Sequence, residues 1–361
     1  MWLKRDYKAV GYTLASCVGG LILMRLIIYF AALPSDMYGQ SLGGSALFSV
    51  CSQVIFFLAI PFCIYKFYGK RTVKQTLEYS SVGKFKPYFL LAIPLGLSVY
   101  FMTVGVSSVW TALLKLTGYT VPKSADNMPD NFVFGFFVVD VLLTAILPAV
   151  CEEFAMRGGL LSTAKNSFGR WGCIVLCAVV FGLFHQNIRQ VFYTALFGAL
   201  AAYLTLNTKS LYPAMLMHFT NNFLSVFVDY ADNYKWAFGG GFYSVLGSIP
   251  VWALMLVFLA VAAFGTAMVV LMLYIRDRQI IKKKREALKD CAFDATNKRV
   301  VMLGEFDAEK VKDLEMEREV YGKDYAETKY KPSLRDLAMF IALGVVTLLT
   351  TIFTYVWGFL Y

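Results

Sequence analysis

The chain has 361 residues, of which 58% are hydrophobic and only 16% charged, with a formal net charge of +10. Its mean hydropathy is +0.59. Soluble domains run nearer half apolar and about a quarter charged, so an ordinary soluble domain is excluded. The apolar residues come in long blocks, which also excludes the short alternating strands of a membrane barrel. The expected class is all-α, a polytopic bundle of eight or nine transmembrane helices.

A helix needs ~20 apolar residues to cross a hydrocarbon layer of ~30 Å. Runs of that kind lie near 9–33, 46–68, 87–115, 132–156, 171–186, 189–206, 211–229, 246–275 and 337–360, the fifth and sixth being short enough to form a broken pair. The first run is longer than the apolar core of a secretory signal and reads as a retained helix. The chain divides into N-terminal transmembrane helices (1–130), a helix bundle that carries the chemistry (131–230), an additional transmembrane helix (231–276), a charged segment (277–335) and a C-terminal transmembrane helix (336–361).

Basic residues alternate between successive ends of these runs. Lys4, Arg5 and Lys8 precede the first, whereas the loop 34–45 has neither Lys nor Arg. Lys70, Arg71, Lys74, Lys84 and Lys86 follow the second run, and Lys123 stands alone with Asp126 and Asp130 after the third. Arg157, Lys165, Arg170 and Lys209 come next, and then "RDRQIIKKKREALK". Cytosolic loops collect Lys and Arg, so the expectation is an integral, multi-pass plasma-membrane protein with a cytosolic N-terminus. The positive charge is accounted for by topology and anionic lipid headgroups rather than by nucleic acid, which is not an expected partner. Segment 277–335 reads as a solvated helix pair. The seven cysteines mostly lie in or beside apolar runs and suggest packing, not a disulfide framework.

Ionisable groups inside a membrane are costly and tend to be functional. The chain has only two histidines, His185 and His218, and both fall in apolar blocks within 67 residues of the acidic pair Glu152–Glu153. On a helix Glu153 and Arg157 are i, i+4 neighbours in the favourable order and can neutralise each other. Glu152 is turned away by ~100° and is left to face something else. Pro148 removes a backbone hydrogen bond one turn before Glu152. With a turn at Asn166–Arg170, Glu152 and His185 each lie ~24 Å from it, level in an antiparallel hairpin. His218 lies ~14 Å from its own turn near Lys209. Asn222, one turn after His218, can donate to an oxyanion or orient a water, and Phe181 stands one turn before His185.

A carboxylate and two imidazoles support two hydrolytic chemistries. His185, His218 and Glu152 can hold zinc with an open position, or Glu152 can take a proton from water directly with a histidine to position it. There is no H-E-x-x-H helix and no G-x-S-x-G elbow.

Three ordered motifs, Glu152-Glu153-x-x-x-Arg157, Phe181-x-x-x-His185 and His218-x-x-x-Asn222, resemble those of the CPBP family of intramembrane proteases, the CAAX-processing and bacteriocin-processing (Abi) group. The likeness covers about residues 130–230. It implies an intramembrane endopeptidase acting on a membrane-associated or lipidated peptide or protein. Glu152 would activate water with His185. His218 and Asn222 would stabilise the oxyanion or orient the water, and Glu153 and Arg157 would hold the first motif. Both a metalloprotease and a metal-free glutamate mechanism fit such a family, and the metal-free form is preferred here. Met156 departs from the family's usual Phe before the Arg. A proton- or ion-coupled transporter and a silent scaffold are the competing classes, although no two-fold repeat of the transporter kind is visible.

Overall fold

The computed structural model describes residues 2–30, 49–120, 128–288, 291–294, 299–302 and 333–357. The loop 34–45, Lys123 and Asp126, and residues 303–332 of the charged segment lie outside the described residues. Among the described residues eleven helices follow one another: α1 (Trp2–Phe30), α2 (Cys51–Tyr68), α3 (Val73–Tyr79), α4 (Pro87–Leu116), α5 (Phe134–Ala164), α6 (Arg170–Phe184), α7 (Val191–Thr208), α8 (Tyr212–Asn233), α9 (Phe242–Ser248), α10 (Val251–Leu288) and α11 (Leu334–Trp357).

Each of the nine apolar runs contains a helix among its described residues, but only seven of those helices are long and apolar enough to cross a membrane: α1, α2, α4, α5, α7, α10 and α11. Seven candidate spans among the described residues thus stand beside the eight or nine expected. The two that fall short fail for different reasons. The apolar stretch of α6 is only 15 residues, because the helix ends at His185. Helix α8 has 22 residues, but His218, Asn221 and Asn222 dilute its apolar content. The chain is a multi-pass membrane protein. Its outer surface fits this, since Leu116, Trp171, Trp252 and Leu259 are among many large apolar side chains left exposed.

Of the helix pair expected within 277–335, the basic half is helical to Leu288, the acidic half lies outside the described residues, and a hairpin lies between them. Helix α10 continues to Leu288, but Cys291–Asp294 (β1) and Arg299–Met302 (β2) pair as an antiparallel hairpin with Cys291 opposite Met302. Both strands are rich in residues that suit a pleated edge, Phe293, Val300 and Val301.

One end of the bundle is tied together by polar contacts. Arg71, at the foot of α2, pairs with the buried Asp6 of α1 at 2.6 Å and lies over the Tyr79 ring. Tyr79 bonds Thr163 at the end of α5. Arg170 and Arg276 both bond Asn207, at its side chain (2.8 Å) and its carbonyl (2.6 Å). This is the end that carries the basic loops.

Helices α6 and α7 form a tight hairpin. A Cβ at Gly182 would stand 2.7 Å from the Val191 carbonyl oxygen and 3.0 Å from the Ala195 Cβ. Small residues let membrane helices approach this closely. A second close approach joins α2 to α5, where a Cβ at Gly159 would meet the Tyr65 hydroxyl at 1.7 Å. Together these fix the two helices that face α5 across the site.

Gly182→Ala has to push backbone rather than a flexible side chain, and overpacking of this kind costs about 1–3 kcal/mol. Thermal unfolding in detergent should show a lowered midpoint for Gly182→Ala, with little change for Gly135→Ala, where a Cβ meets nothing within 4 Å.

Candidate active site

The acidic pair sits on a short α-helical stretch, Leu147–Glu153, between two wider π-helical ones, Val141–Ile146 and Phe154–Leu161. Wide turns of this kind occur often at functional sites. Pro148 has no N–H for the Thr144 carbonyl, which an α-helix would bond from that position. The Asn222 side chain supplies a donor instead, Nδ2 to the Thr144 oxygen at 3.0 Å. A break that proline makes in α5 is thus closed by α8.

The two glutamates part company at once. Glu153 is fully buried, and one of its oxygens, Oε1, accepts from Arg157 Nη1 at 2.9 Å and from His218 Nδ1 at 2.9 Å. Arg157 is also fully buried. It donates to the Gly198 carbonyl of α7 at 3.2 Å and lies 4.4 Å over the Phe181 ring. Glu153 therefore gathers α5, α7 and α8 around one charge. Glu152 points elsewhere and accepts from Gln53 Nε2 of α2 at 2.8 Å.

His185 caps α6, with Nδ1 2.9 Å from the Phe181 carbonyl oxygen. A carbonyl can only accept, so Nδ1 carries the proton and the neutral ring keeps its lone pair on Nε2. The carboxylate on His218 Nδ1 imposes the same tautomer there. Phe197 lies edge-on to His218 at 4.7 Å, and Phe181 lies edge-on to His185 at 4.8 Å. Aromatic walls on both rings restrict them to one orientation.

A cavity of about 820 Å³ lies between these helices. Glu152, His185, His218 and Asn222 all line it, and so do Gln53, Phe181, Pro148 and Arg189. Glu153 and Arg157 stand behind this wall. The expected catalytic set is brought together on one surface, with Phe181 beside it. Asn222 is committed in part, since Oδ1 accepts from Asn221 at 2.9 Å and one Nδ2 hydrogen goes to Thr144. The second Nδ2 hydrogen is the one left for chemistry.

His218 answers a different partner from the one its spacing suggested. The spacing from the turns leaves it ~10 Å short of level with Glu152, and its ring nitrogen bonds Glu153 instead. Gln53 escaped sequence reasoning altogether. It is separated from Glu152 by 99 residues, and its only signal is an amide within an apolar run.

Among the described residues, no group of three or more His, Cys, Asp and Glu side chains converges as metal ligands. His185, His218 and Glu152 share a wall without forming such a set. The arrangement does not fit the zinc site considered from sequence, and no step is routed through a metal. Cys17, Cys51, Cys63, Cys151, Cys173 and Cys177 are free thiols.

The loop after His185 is braced from both sides. Trp110 Nε1 of α4 donates to the Ile188 carbonyl at 2.7 Å, and the Ile188 N–H donates to Thr354 Oγ1 of α11 at 2.9 Å.

Comparison with known proteins gives one match. Residues 134–224 fit the family described as type II CAAX prenyl endopeptidase Rce1-like. That stretch begins with α5, ends inside α8 and takes in both glutamates, both histidines and Asn222, but not Gln53. No curated protein and no solved structure matches the chain. Residues 134–224 of this multi-pass chain are thus a peptidase domain of the type II CAAX prenyl endopeptidase Rce1-like family.

Proposed function

We propose that the chain is an intramembrane endopeptidase in which Glu152 activates water without a metal, and that its substrate is a membrane-associated or lipidated peptide or protein. One observation carries this reading. Glu152 is held by Gln53 on the wall of a cavity that both histidines line, each with its Nδ1 already bonded and its Nε2 left without a protein partner among the described residues.

In this mechanism a water sits between Glu152 and His185. The Glu152 carboxylate takes one of its protons, and His185 Nε2 accepts a hydrogen bond from the other. The oxygen attacks the scissile carbonyl carbon, and the carbonyl π pair moves onto oxygen. The free Asn222 Nδ2 hydrogen meets the oxyanion. His218, with its Nδ1 bonded to Glu153, offers Nε2 as a second acceptor for the hydrogen that His185 holds, and so limits the water's rotation. Glu152 then returns its proton to the amide nitrogen as the C–N bond breaks, leaving a new carboxyl and a new amino terminus. Glu153 and Arg157 do not touch the reacting atoms. They position His218 and α5. The basic end of the bundle is assigned to the cytosol, with the N-terminus there, and the plasma membrane is the proposed location.

A transporter reading would use the same ionisable groups as a relay. It leaves unexplained why Glu152 is restrained by an amide while each imidazole has a fixed tautomer. Both features suit proton transfer at a fixed point.

Glu152→Gln keeps the shape and the Gln53 contact but removes the base. Peptide cleavage in liposomes should fall by about 10²-fold or more, with thermal unfolding unchanged. Cleavage that persists would remove Glu152 from the mechanism. Gln53→Leu should lower kcat by about tenfold or more, since a hydrogen bond to a charged group contributes about 1.5–3 kcal/mol, with only a modest fall in the unfolding midpoint. Arg157→Met should behave in the opposite way. It leaves Glu153 buried without its cation, a loss of about 3–5 kcal/mol, so the unfolding midpoint itself should drop sharply. An Arg157→Met protein as stable as the wild type would refute the structural role of the pair.

A further inference from the structure

The cavity wall carries one group the mechanism does not use. Arg189 is the only Lys or Arg among the residues that line it. Among the described residues it makes no ion pair, and its Nε is buried without a hydrogen-bond partner. The other cations near the site are spent, since Arg157 is locked behind the wall on Glu153. Arg189 is not on a loose surface loop. Its own N–H bonds Asn187 Oδ1 at 3.0 Å, and the preceding residue, Ile188, is held at both its N–H and its carbonyl by Thr354 and Trp110. The backbone that carries Arg189 is also the backbone that follows His185, so the two are placed by the same braces.

A buried N–H with no acceptor is costly, and a guanidinium left unpaired in a cavity wall is a recognition group awaiting an anion. Nε and the neighbouring Nη form a planar fork that matches the two oxygens of a carboxylate. Resting on the peptidase reading above, we infer that Arg189 is a specificity-determining residue that binds a carboxylate of the peptide substrate and so sets which bond lies over Glu152. That carboxylate belongs to the substrate's C-terminus or to an Asp or Glu side chain near the scissile bond. The chemistry is the same, and the position of cleavage separates the two. No bond is made or broken at Arg189.

The test uses the full-length protein in proteoliposomes, a library of proteome-derived peptides, and the same library with every carboxylate converted to an amide. Products are mapped by mass spectrometry for wild type, Arg189→Gln and Arg189→Lys, with Glu152→Gln as the blank. Wild type should cut the untreated library about tenfold or more better than the amidated one. Arg189→Gln should cut both at the lower rate, and Arg189→Lys should regain part of the preference. Cleavage at a fixed distance from the C-terminus assigns the carboxylate to the terminus, and cleavage at a fixed offset from Asp or Glu assigns it to a side chain. Equal cutting of both libraries by wild type overturns the inference, and that comparison stands even if Arg189→Gln fails to fold. An equal loss on both libraries in Arg189→Gln also overturns it, because a structural role would lower both alike. If wild type cuts neither library above the Glu152→Gln blank, the peptidase reading itself fails and takes this inference with it.

Discussion

The site depends on one buried carboxylate oxygen. Glu153 Oε1 receives both Arg157 and His218, each at 2.9 Å, with no exposure of the glutamate to solvent. A lone buried charge would be prohibitive, and a pair taken out of water is tolerated only with good geometry and further hydrogen bonds. Here the further bonds run to a histidine on α8 and, through Arg157, to a carbonyl on α7. The charge pair therefore orders three helices at once. Its contribution is better understood as specifying one arrangement of those helices than as net stabilisation. Because Glu153 absorbs the cation, its neighbour Glu152 is left without one, as the proposed role of base requires.

The helices that carry the histidines are the weakest membrane spans. Helix α6 stops at His185, and α8 is made polar by the residues that line the cavity. Both therefore need support from elements that do span. Gly182 lets α7 press against α6, Asn222 closes the gap that Pro148 opens in α5, and Trp110 and Thr354 pin the loop beyond His185. Function has cost these segments their apolar length, and the neighbouring helices restore what was lost.

Much of this was legible before any coordinates. Apolar length alone located the helices, because a bilayer sets their minimum span. The i, i+4 spacing revealed Glu153 with Arg157, and equal distances from a single turn put Glu152 and His185 on the same wall. What stayed hidden shares a cause. Gln53, Trp110 and Thr354 act on the site from tens to hundreds of residues away, and no local period encodes such contacts. The bond from His218 to Glu153 rather than Glu152 depends on how far α8 is rotated, which helix spacing does not fix. The hairpin at Cys291–Met302 was missed because acidic and basic residues around it favour helix, while the strands themselves are only four residues each.

The family match covers about a quarter of the chain, yet the site is not complete within it. The amide that restrains Glu152 comes from α2, and the braces on the His185 loop come from α4 and α11. A helix bundle limited to α5–α8 would hold the ionisable groups but not their orientations. The Glu152 carboxylate could rotate, and the backbone of Ile188 would lose both partners. The flanking helices are therefore part of the site in a physical sense. They turn a cluster of polar side chains, which a membrane would otherwise penalise, into a cavity wall with fixed donors and acceptors. Helix α11 has a further consequence by its place in the chain. It follows the charged segment directly, and its Thr354 touches the loop that carries Arg189.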